Sequence, residues 1–422
     1  MNFKAAARSW SIVQSFVLAG CAAVEAPRSD FPPDASAVDA ADVLERDGGM
    51  EDASAADADS GRHRGPRSDA GSGEESTVED MWAGPAMTCA RVNRSGVVTT
   101  KCWGDNRAGQ LGRGEASATS VETFVPQAIL MDDGSQVVAM RSTIDYATQK
   151  VRTCIILRDK QLKCWGSRWD SIDPLAGLVT APPDVPLLTG VEDVRMGEGF
   201  LCARLASSNV ACWGANQDGQ LGLGTRDYTL HELPAEIPNF TADEIALSNS
   251  LACGRKGGDV WCWGGWGSNS TFGSSPTQVA DLHGVTQIRG GGDAVCALAS
   301  DSTIWCWTAD GAMSHLLDPT EAEPQRLLDD VAEFDMGSKA TSLFLRMKDG
   351  TVRFRGGANN IAIVTSTVEG IVDPIRVVLG QSHQCAIMPD ETVRCWGSNI
   401  FGQLAVDPKL LKQSSLSVRV NL

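Results

Sequence analysis

The sequence predicts an all-β fold, a seven-bladed β-propeller, and three observations lead to that prediction. A Cys-Trp-Gly unit with a Gly-rich stretch behind it recurs, most fully at Cys102–Gly114, Cys212–Gly224 and Cys395–Leu404. Each unit places two short apolar stretches around a turn, and neither stretch is long enough for an ordinary helix. Small or apolar residues occupy both faces of these stretches, as at Ala294–Ala299. Strands covered on both faces suit sheets stacked against one another, as propeller blades are.

The spacing of the repeats gives the number of blades. Aligned on the residue after the second cysteine, successive units are 62, 48, 50, 44, 48 and 41 residues apart, a period typical of solenoids and propellers. The aligned positions are Trp103, Trp165, Trp213, Trp263, Trp307, Arg355 and Trp396. Residues 78–422 are therefore expected to form the propeller.

Residues 1–20 have the form of an export signal. Lys4 and Arg8 precede the mostly apolar run Trp10–Gly20, so a positive segment is followed by a short hydrophobic one. No apolar run reaches the roughly 18 residues that spanning a bilayer requires. The chain is therefore expected to be exported.

The signal ends in Leu18-Ala19-Gly20-Cys21, which resembles the lipobox of bacterial lipoproteins. This resemblance implies a lipid on Cys21, and Ala22 in place of Asp implies anchoring in the outer membrane, on its periplasmic or its outer side. The alternative is an ordinary signal that is cut near Ala23 or Ala26.

Residues 21–77 are predicted to be a disordered acidic tether. Asp, Ala, Ser, Gly and Pro dominate the segment, and large apolar residues are few. Such a composition cannot bury enough apolar surface to offset the entropy of ordering. A flexible coil of this length spans roughly 40 Å.

The whole chain carries a formal net charge of -17, which disfavours a broad electrostatic surface for nucleic acid or for anionic membranes. We therefore expect no nucleic-acid partner, and contact with the membrane through the lipid alone. We also expect a monomer.

The repeats resemble those of the regulator of chromosome condensation family, which form a seven-bladed propeller. The resemblance covers the chain from about Val78 to its end and is most specific in three units, at Asn106/Gln110, Asn216/Gln220 and Asn399/Gln403. The loops of units two, four, five and six depart from the pattern. The family's nucleotide-exchange role on a nuclear GTPase is not expected, because an exported acidic chain would not meet that partner.

The motif residues have a structural explanation. Gly219, Gly222 and Gly224 permit the positive φ of a tight loop, and an Asn amide can bridge backbone groups within it. Trp213 and Leu221 are expected to be apolar anchors between blades. For Asn216 and Gln220 we favour loop scaffolding over a role in ligand binding.

Twelve of the 13 cysteines fall into pairs within units. The predicted disulfides are Cys89–Cys102, Cys154–Cys164, Cys202–Cys212, Cys253–Cys262, Cys296–Cys306 and Cys385–Cys395. In the sixth unit both cysteines are replaced together, by Phe344 and Phe354, and loss in pairs is what a bridge predicts. Metal binding by these cysteines is disfavoured, because the chain has no Cys-x-x-Cys motif and no His recurs beside the pairs. Cys21 is the unpaired thirteenth.

The sequence gives no sign of catalysis, and it predicts no catalytic residue, metal site or cofactor. His383 is expected to be a buried structural residue. Trp169 and Trp266 lie in Gly/Ser-rich loops that have diverged, which suits a binding hot spot, although local packing within the loop would explain them equally. Trp261 and Trp305 precede cysteines on strands and are expected to pack within the core.

We expect a binding module that holds an envelope or extracellular protein or a glycan through loops on one face. One alternative is a secreted inhibitor that blocks an enzyme, since a bacterial β-lactamase inhibitor has this propeller fold. The other is an enzyme whose site is built from loop carboxylates. Fold alone does not decide among them.

The ring also has to close. The first unit lacks a leading strand of the kind that Pro276–Val279 supplies before Val285. The β-prone end of the chain, Leu416–Val420, alternates in polarity and is predicted to complete the first blade beside Met87–Ala90 and Val97–Trp103.

Overall fold

The computed structural model describes residues 76–116, 123–129, 137–145, 150–167, 185, 188–265, 272–308, 323–337, 342–356 and 364–422. These residues form seven antiparallel sheets, which confirms the predicted seven-bladed propeller, and no helix occurs among them. Within those ranges no helix has the length and hydrophobicity needed to cross a membrane.

Each sheet is one blade, and its strands follow one another in the chain. Blades one to three contain β1 (Ser76–Ala83), β2 (Met87–Arg94), β3 (Val97–Gly104) and β4 (Gln127–Ala128); β5 (Val137–Asp145), β6 (Lys150–Leu157) and β7 (Leu162–Gly166); and β8 (Val191–Met196), β9 (Phe200–Leu205), β10 (Asn209–Asn216) and β11 (Asp227–Thr241). The first strand begins at Ser76, two residues before the boundary expected from the sequence.

The remaining four blades follow the same order. They contain β12 (Glu244–Leu247), β13 (Leu251–Lys256), β14 (Asp259–Gly264) and β15 (Thr277–Gln278); β16 (Val285–Gly291), β17 (Ala294–Ala299), β18 (Ile304–Thr308) and β19 (Gln325–Leu328); β20 (Val331–Met336), β21 (Ser342–Met347), β22 (Val352–Gly356) and β23 (Val364–Ser366); and β24 (Arg376–Leu379), β25 (His383–Ile387), β26 (Val393–Ser398) and β27 (Gln413–Val420). The first strands of consecutive blades contact one another, as do those of the last blade and the first, so they form the inner ring.

The core lies between blades rather than inside one of them. Seven clusters of buried apolar side chains each join two neighbouring blades. Met81 and Trp103 of blade one, for example, pack with Val378, Leu404 and Val420 of blade seven. This is why the strands need apolar residues on both faces: each face of a blade is a neighbour's contact surface.

The prediction that the chain's end completes the first blade is wrong. Strand β27 pairs with β26 in the seventh blade, with Val420 opposite Val393 and Val418 opposite Cys395. Blade one has its own inner strand β1, which pairs with β2 over Ser76–Ala83. The error lies in where one blade ends and the next begins. Thr277–Gln278 is the outer strand of blade four and not the first strand of blade five.

The ring closes through a joint that also links blade one to blade two. The main-chain oxygen of Gln403 in blade seven accepts hydrogen bonds from Trp103 Nε1 and Thr88 Oγ1 of blade one, both at 3.0 Å. The oxygen of Gln110 accepts equivalent bonds from Trp165 Nε1 at 3.0 Å and Thr153 Oγ1 at 3.2 Å. Closure therefore requires no exchanged strand.

All six predicted disulfides are present. Each joins directly opposed residues on the second and third strands of a blade, with Cα atoms 4.0–4.1 Å apart. In blade six Phe344 and Phe354 are opposed in the same way, and their ring centroids are 5.7 Å apart. An aromatic pair thus replaces the covalent bridge, and Phe354 also packs edge-on against Trp396 of blade seven.

Candidate functional site

The meander order of the strands sorts the connections onto two faces. Turns between first and second strands and loops between third and fourth strands lie at one end, which we call the motif face. The turns between second and third strands lie on the opposite face and are tight. At Ser95-Gly96 and at Gly257-Gly258, for example, both residues of the turn have positive φ. The motif face therefore carries the longer connections.

Three of the motif-face loops are fixed from within. Asn216 Oδ1 accepts a hydrogen bond from Leu221 N at 3.3 Å, and its Nδ2 donates to Thr225 O at 3.1 Å. Gln220 Oε1 accepts from Asp218 N at 2.9 Å. The Asn106/Gln110 and Asn399/Gln403 loops repeat the bonds to the side-chain oxygens. Because all these side chains are buried, they are loop scaffolding, as the sequence indicates.

The glycine after the Gln-Leu pair meets the next blade. Gly222 has a φ of 72°, and a Cβ built on it would lie 2.9 Å from Nε1 of Trp263. That indole donates to the Gln220 carbonyl at 3.0 Å. The loop therefore serves the joint between blades, and its glycine is required both for conformation and for space.

The central channel opens at the motif face as a polar cavity of about 200 Å³. All seven inner strands contribute to its wall near their C-terminal ends, and the side chains there include both charged and apolar groups. Three arginines stand at the same position of their strands, one residue after a buried apolar side chain: Arg141 after Met140, Arg195 after Val194 and Arg289 after Ile288.

Two of these arginines share one carboxylate. Arg195 Nε donates to Asp193 Oδ2 at 2.8 Å, while Nη2 of Arg141 lies 3.6 Å from Asp193 Oδ1. The carboxylate belongs to blade three, so the longer contact bridges blades two and three. Arg141 Nη1 donates to its neighbour's carbonyl, Met140 O, at 2.9 Å, and its Nε is buried with no hydrogen-bond partner among the described residues.

Asp193 does not compensate the charges of Arg141 and Arg195 equally. Burial acts to raise the pKa of Asp193, but the charges of Arg195 and Arg141 outweigh it and hold that pKa below its usual value. The pKa of Arg141 is lowered to about 10, first by burial and then by the like charge of Arg195, and the charge of Asp193 opposes both only in part. Arg141 is thus the less compensated of the two cations.

The other side of the channel is balanced. Arg289 Nη1 donates to Glu244 Oε1 of blade four, and its Nε lies 3.4 Å from Asp335 Oδ1 of blade six. Arg376 of blade seven pairs with Asp80 of blade one at 2.9 Å. Ion pairs of this kind tie consecutive blades together around the channel.

The structure places the sequence-predicted residues as follows. Trp169, Trp266 and Cys21 lie outside the described residues. Trp261 and Trp305 are half-buried and pack on the core, and Trp213, Leu221 and His383 are buried, as expected. No group of three or more His, Cys, Asp and Glu side chains in the described ranges is placed to hold a metal ion.

The channel arginines are functional candidates that the sequence reasoning missed. The signal for them was an Arg directly after the apolar residue of a first strand, in Met140-Arg141, Val194-Arg195 and Ile288-Arg289. It recurs in three units out of seven, and without the ring geometry nothing says that these positions face one channel.

Known proteins show what the architecture resembles. Over 181 residues the chain is 26% identical to the ultraviolet-B receptor UVR8 of Arabidopsis thaliana, a match that spans 40% of this chain and 38% of the receptor. The structure resembles RCC1 (Prp20) of yeast in a crystal structure with bound Kap60, at a TM-score of 0.59 and 15% identity over 88% of this chain and 91% of the other. Prp20p of Saccharomyces cerevisiae alone gives a TM-score of 0.59 at 16% identity, over 81% and 86%. No protein-family model matches the chain.

Proposed function

The chain is an RCC1-like seven-bladed propeller, and we propose that it is an exported, lipid-anchored module that binds a protein partner through its motif face. The anchor is Cys21, the tether is residues 21–77, and the propeller acts as a monomer held at the outer membrane. The module is not an enzyme.

The observation that carries the proposal is where the repeats diverge. The third strands of blades two, four, five and six end at Gly166, Gly264, Thr308 and Gly356, and the segments that follow them lack the Asn/Gln motif. All four third strands end at the motif face. A rigid scaffold with sequence variation confined to the connections on one face is typical of binding surfaces. Trp169 and Trp266 are among these diverged positions.

Exposed apolar side chains on the described part of the motif face support the same assignment. Tyr228, at the start of β11, is 94% exposed. Leu410 and Ile400, in the loop between β26 and β27, are 73% and 59% exposed. Tyr is enriched among the hot-spot residues of protein interfaces, and the buried centre of such an interface is more apolar than the rest of the surface.

A protein partner is favoured over a glycan by analogy of fold. The yeast propeller was crystallised with Kap60, and binding of Prp20p to Gsp1p and histones has been described. These partners are those proteins' own, and the analogy carries over only the class of ligand. The inhibitor reading is a special case, in which the partner is an enzyme.

An enzymatic role is disfavoured by the channel's charges. The carboxylates of Asp193, Glu244 and Asp335 each lie against an arginine. Burial acts to raise the pKa of Asp193, but the arginine charges hold it below its usual value. Asp193 is therefore a poor general acid, because catalytic acids have raised pKa values.

Export is supported by the six disulfides, which persist in oxidising compartments outside the cytosol. The anchor itself is tested by Cys21→Ser. If Cys21 carries a lipid, the wild-type protein partitions into detergent and the variant stays soluble or unprocessed. Equal partitioning of the two forms would exclude the anchor.

The binding proposal is tested by capture from envelope extract with the purified full chain. The motif-face variants are Tyr228→Arg and Leu410→Arg, and Val372→Arg is the matched control, because Val372 is 74% exposed on the opposite face. We expect wild type and Val372→Arg to retain the same protein and both motif-face variants to lose it.

Equal capture by all four proteins would contradict the assignment of the face. Retention of polysaccharide alone would favour the glycan reading, and turnover of a substrate would favour the enzyme.

A further inference from the structure

The channel mouth has the size and lining of a site for a small charged group. Its cavity of about 200 Å³ lies on the propeller axis and is lined mostly by polar surface. A cavity of this size has room for a small organic ion or for one side chain of a partner. Its opening on the motif face gives access from solvent.

Guanidinium groups reach this cavity with hydrogen-bond donors to spare. The side chain of Arg195 is 20% exposed, and within the described ranges only its Nε donates, to Asp193. The side chain of Arg141 is 29% exposed, and its Nη2 has only the 3.6 Å contact with Asp193. The hydroxyl-bearing residues Ser142 and Thr143 line the cavity beside Arg141.

The charges on this side of the channel do not cancel. Arg141 and Arg195 bring two positive charges, and among the described residues Asp193 is the one carboxylate within 4 Å of them. Asp335 acts on both arginines, and Glu244 acts on Arg195, from a greater distance. Across the channel, Arg289 has both Glu244 and Asp335. Direct contacts therefore pair only one of the two positive charges between blades two and three, and the nearest further carboxylates already contact Arg289.

We propose that Arg141 and Arg195 bind the oxyanion of a small ligand, a carboxylate or a phosphate group, at the mouth of the central channel. A planar guanidinium pairs with either group through two parallel hydrogen bonds. The ligand would supply the negative charge that Asp193 alone does not, and the lowered pKa of Arg141, caused first by burial, is consistent with that missing charge. This inference goes beyond the protein-binding proposal and does not depend on it.

The test is calorimetric titration of the purified full chain at fixed ionic strength, which holds screening constant. Succinate and inorganic phosphate are the free anions, and succinamide is the uncharged control. A capped peptide containing Asp and Glu represents the acidic side chain of a partner.

Four variants separate binding from structure. Arg141→Met and Arg195→Met each remove a guanidinium and are expected to weaken binding by about tenfold or more, as loss of a charged hydrogen bond does. Asp193→Asn removes the competing carboxylate and is expected to tighten binding. Arg326→Met breaks an exposed pair with Asp329 on an outer strand and is expected to change nothing.

The expected result is saturable one-to-one binding of succinate, phosphate or the peptide, with this order of variants. Tighter binding of the peptide would identify a partner's side chain as the source, and tighter binding of a free anion would identify a small molecule. If Arg141→Met or Arg195→Met fails to fold, Arg195→Lys takes its place, because it keeps the charge and removes the two parallel donors of the guanidinium. Arg195→Lys is expected to bind the anion more weakly than the wild type. Asp193→Asn is still expected to bind it more tightly.

The proposal is overturned if none of the three charged probes binds saturably, if succinamide binds as well as succinate, or if the arginine variants bind like the wild type. It is overturned also if Asp193→Asn leaves the affinity unchanged. None of these outcomes changes the result expected when the Tyr228→Arg and Leu410→Arg variants are used for capture. Either proposal can therefore be rejected while the other stands.

Discussion

Single main-chain oxygens join blade seven to blade one, blade one to blade two and blade three to blade four. The motif side chains keep those oxygens in place. In the loop that ends blade seven, the Asn399 and Gln403 side chains fix the turn, and the Gln403 carbonyl receives Trp103 and Thr88 of blade one. The recurrence of the Asn/Gln motif in three units of this chain is thus explained by its role in the joint between blades. Function has to be sought among the motif-face residues outside this Asn/Gln scaffold.

His383 makes this joint sensitive to acid. Its Nε2 lies 2.8 Å from Thr88 Oγ1, and since that hydroxyl donates to Gln403 O, the neutral ring donates to Thr88. Burial lowers the pKa of His383 from 6.5 to about 4. Between these values the unfolded chain binds the extra proton and the folded chain does not. Stability is therefore complete above pH 6.5 and falls as the pH drops towards 4.

We predict that His383→Gln removes this part of the pH dependence. The wild type should lose on the order of 3 kcal/mol of unfolding free energy from this group between pH 7 and pH 4. The measurement is urea unfolding across that range, with His283→Gln as the control, because His283 is exposed. The same loss in His383→Gln and the wild type would show that another group causes it.

At the scale of the element, the second and third strands of each blade form the most strongly constrained unit. A disulfide closes this hairpin in six blades, with separations of 9 to 13 residues. In the chain-entropy account a loop of this size contributes about 2–3 kcal/mol. The bridges thus stabilise hairpins that lack a hydrophobic centre of their own.

Peptide mapping without reductant should therefore find six bridges, each within a blade. Reduction and alkylation should lower the melting temperature by many degrees, because the unfolded chain regains the freedom that the bridges removed. After reduction, amide hydrogen exchange should increase in the six bridged blades before it increases in blade six, where Phe344 and Phe354 replace the bridge. Hydrogen exchange resolved by blade measures this order. Bridges between blades would contradict the register of the strands.

The C-terminal strand contributes to the last blade and to closure at once. Strand β27 covers the outer edge of β26, while Val420 and Leu422 pack in the cluster shared by blades seven and one. Removing residues 413–422 should lower the melting temperature by several degrees and promote aggregation through the exposed edge. Leu416→Ser, at an exposed position of the same strand, is the control and should melt like the wild type. A truncated protein with an unchanged melting temperature would contradict this role.

Much of the fold can be predicted from the sequence, because Trp103, Cys89 and their counterparts repeat with the blades. The blade to which each outer strand belongs could not be predicted, because an outer strand such as Thr277–Gln278 has only two residues and no pattern of its own. The channel could not be predicted either. Arg141 and Arg195 are far apart in the chain, and only closure of the ring brings their strands to one axis.

The whole molecule separates stability from recognition. Seven interfaces between blades, one of them between the last and the first, hold the ring. Most of their buried side chains lie on strands, and the diverged connection of blade four adds Phe272 to the interface between blades four and five. The strands therefore supply most of the stability of the ring, and the connections are where a repeat scaffold carries its binding surface.

Hydrogen exchange of the full chain, with and without the captured partner, tests the central claim most directly, since it reports where the partner sits. The account predicts slowed exchange on the motif face, in the turns at 197–200 and 248–251 and around Tyr228 and Leu410. It predicts unchanged exchange in the opposite turns at 95–97 and 257–259. Protection of the opposite turns, with the motif face unchanged, would contradict it.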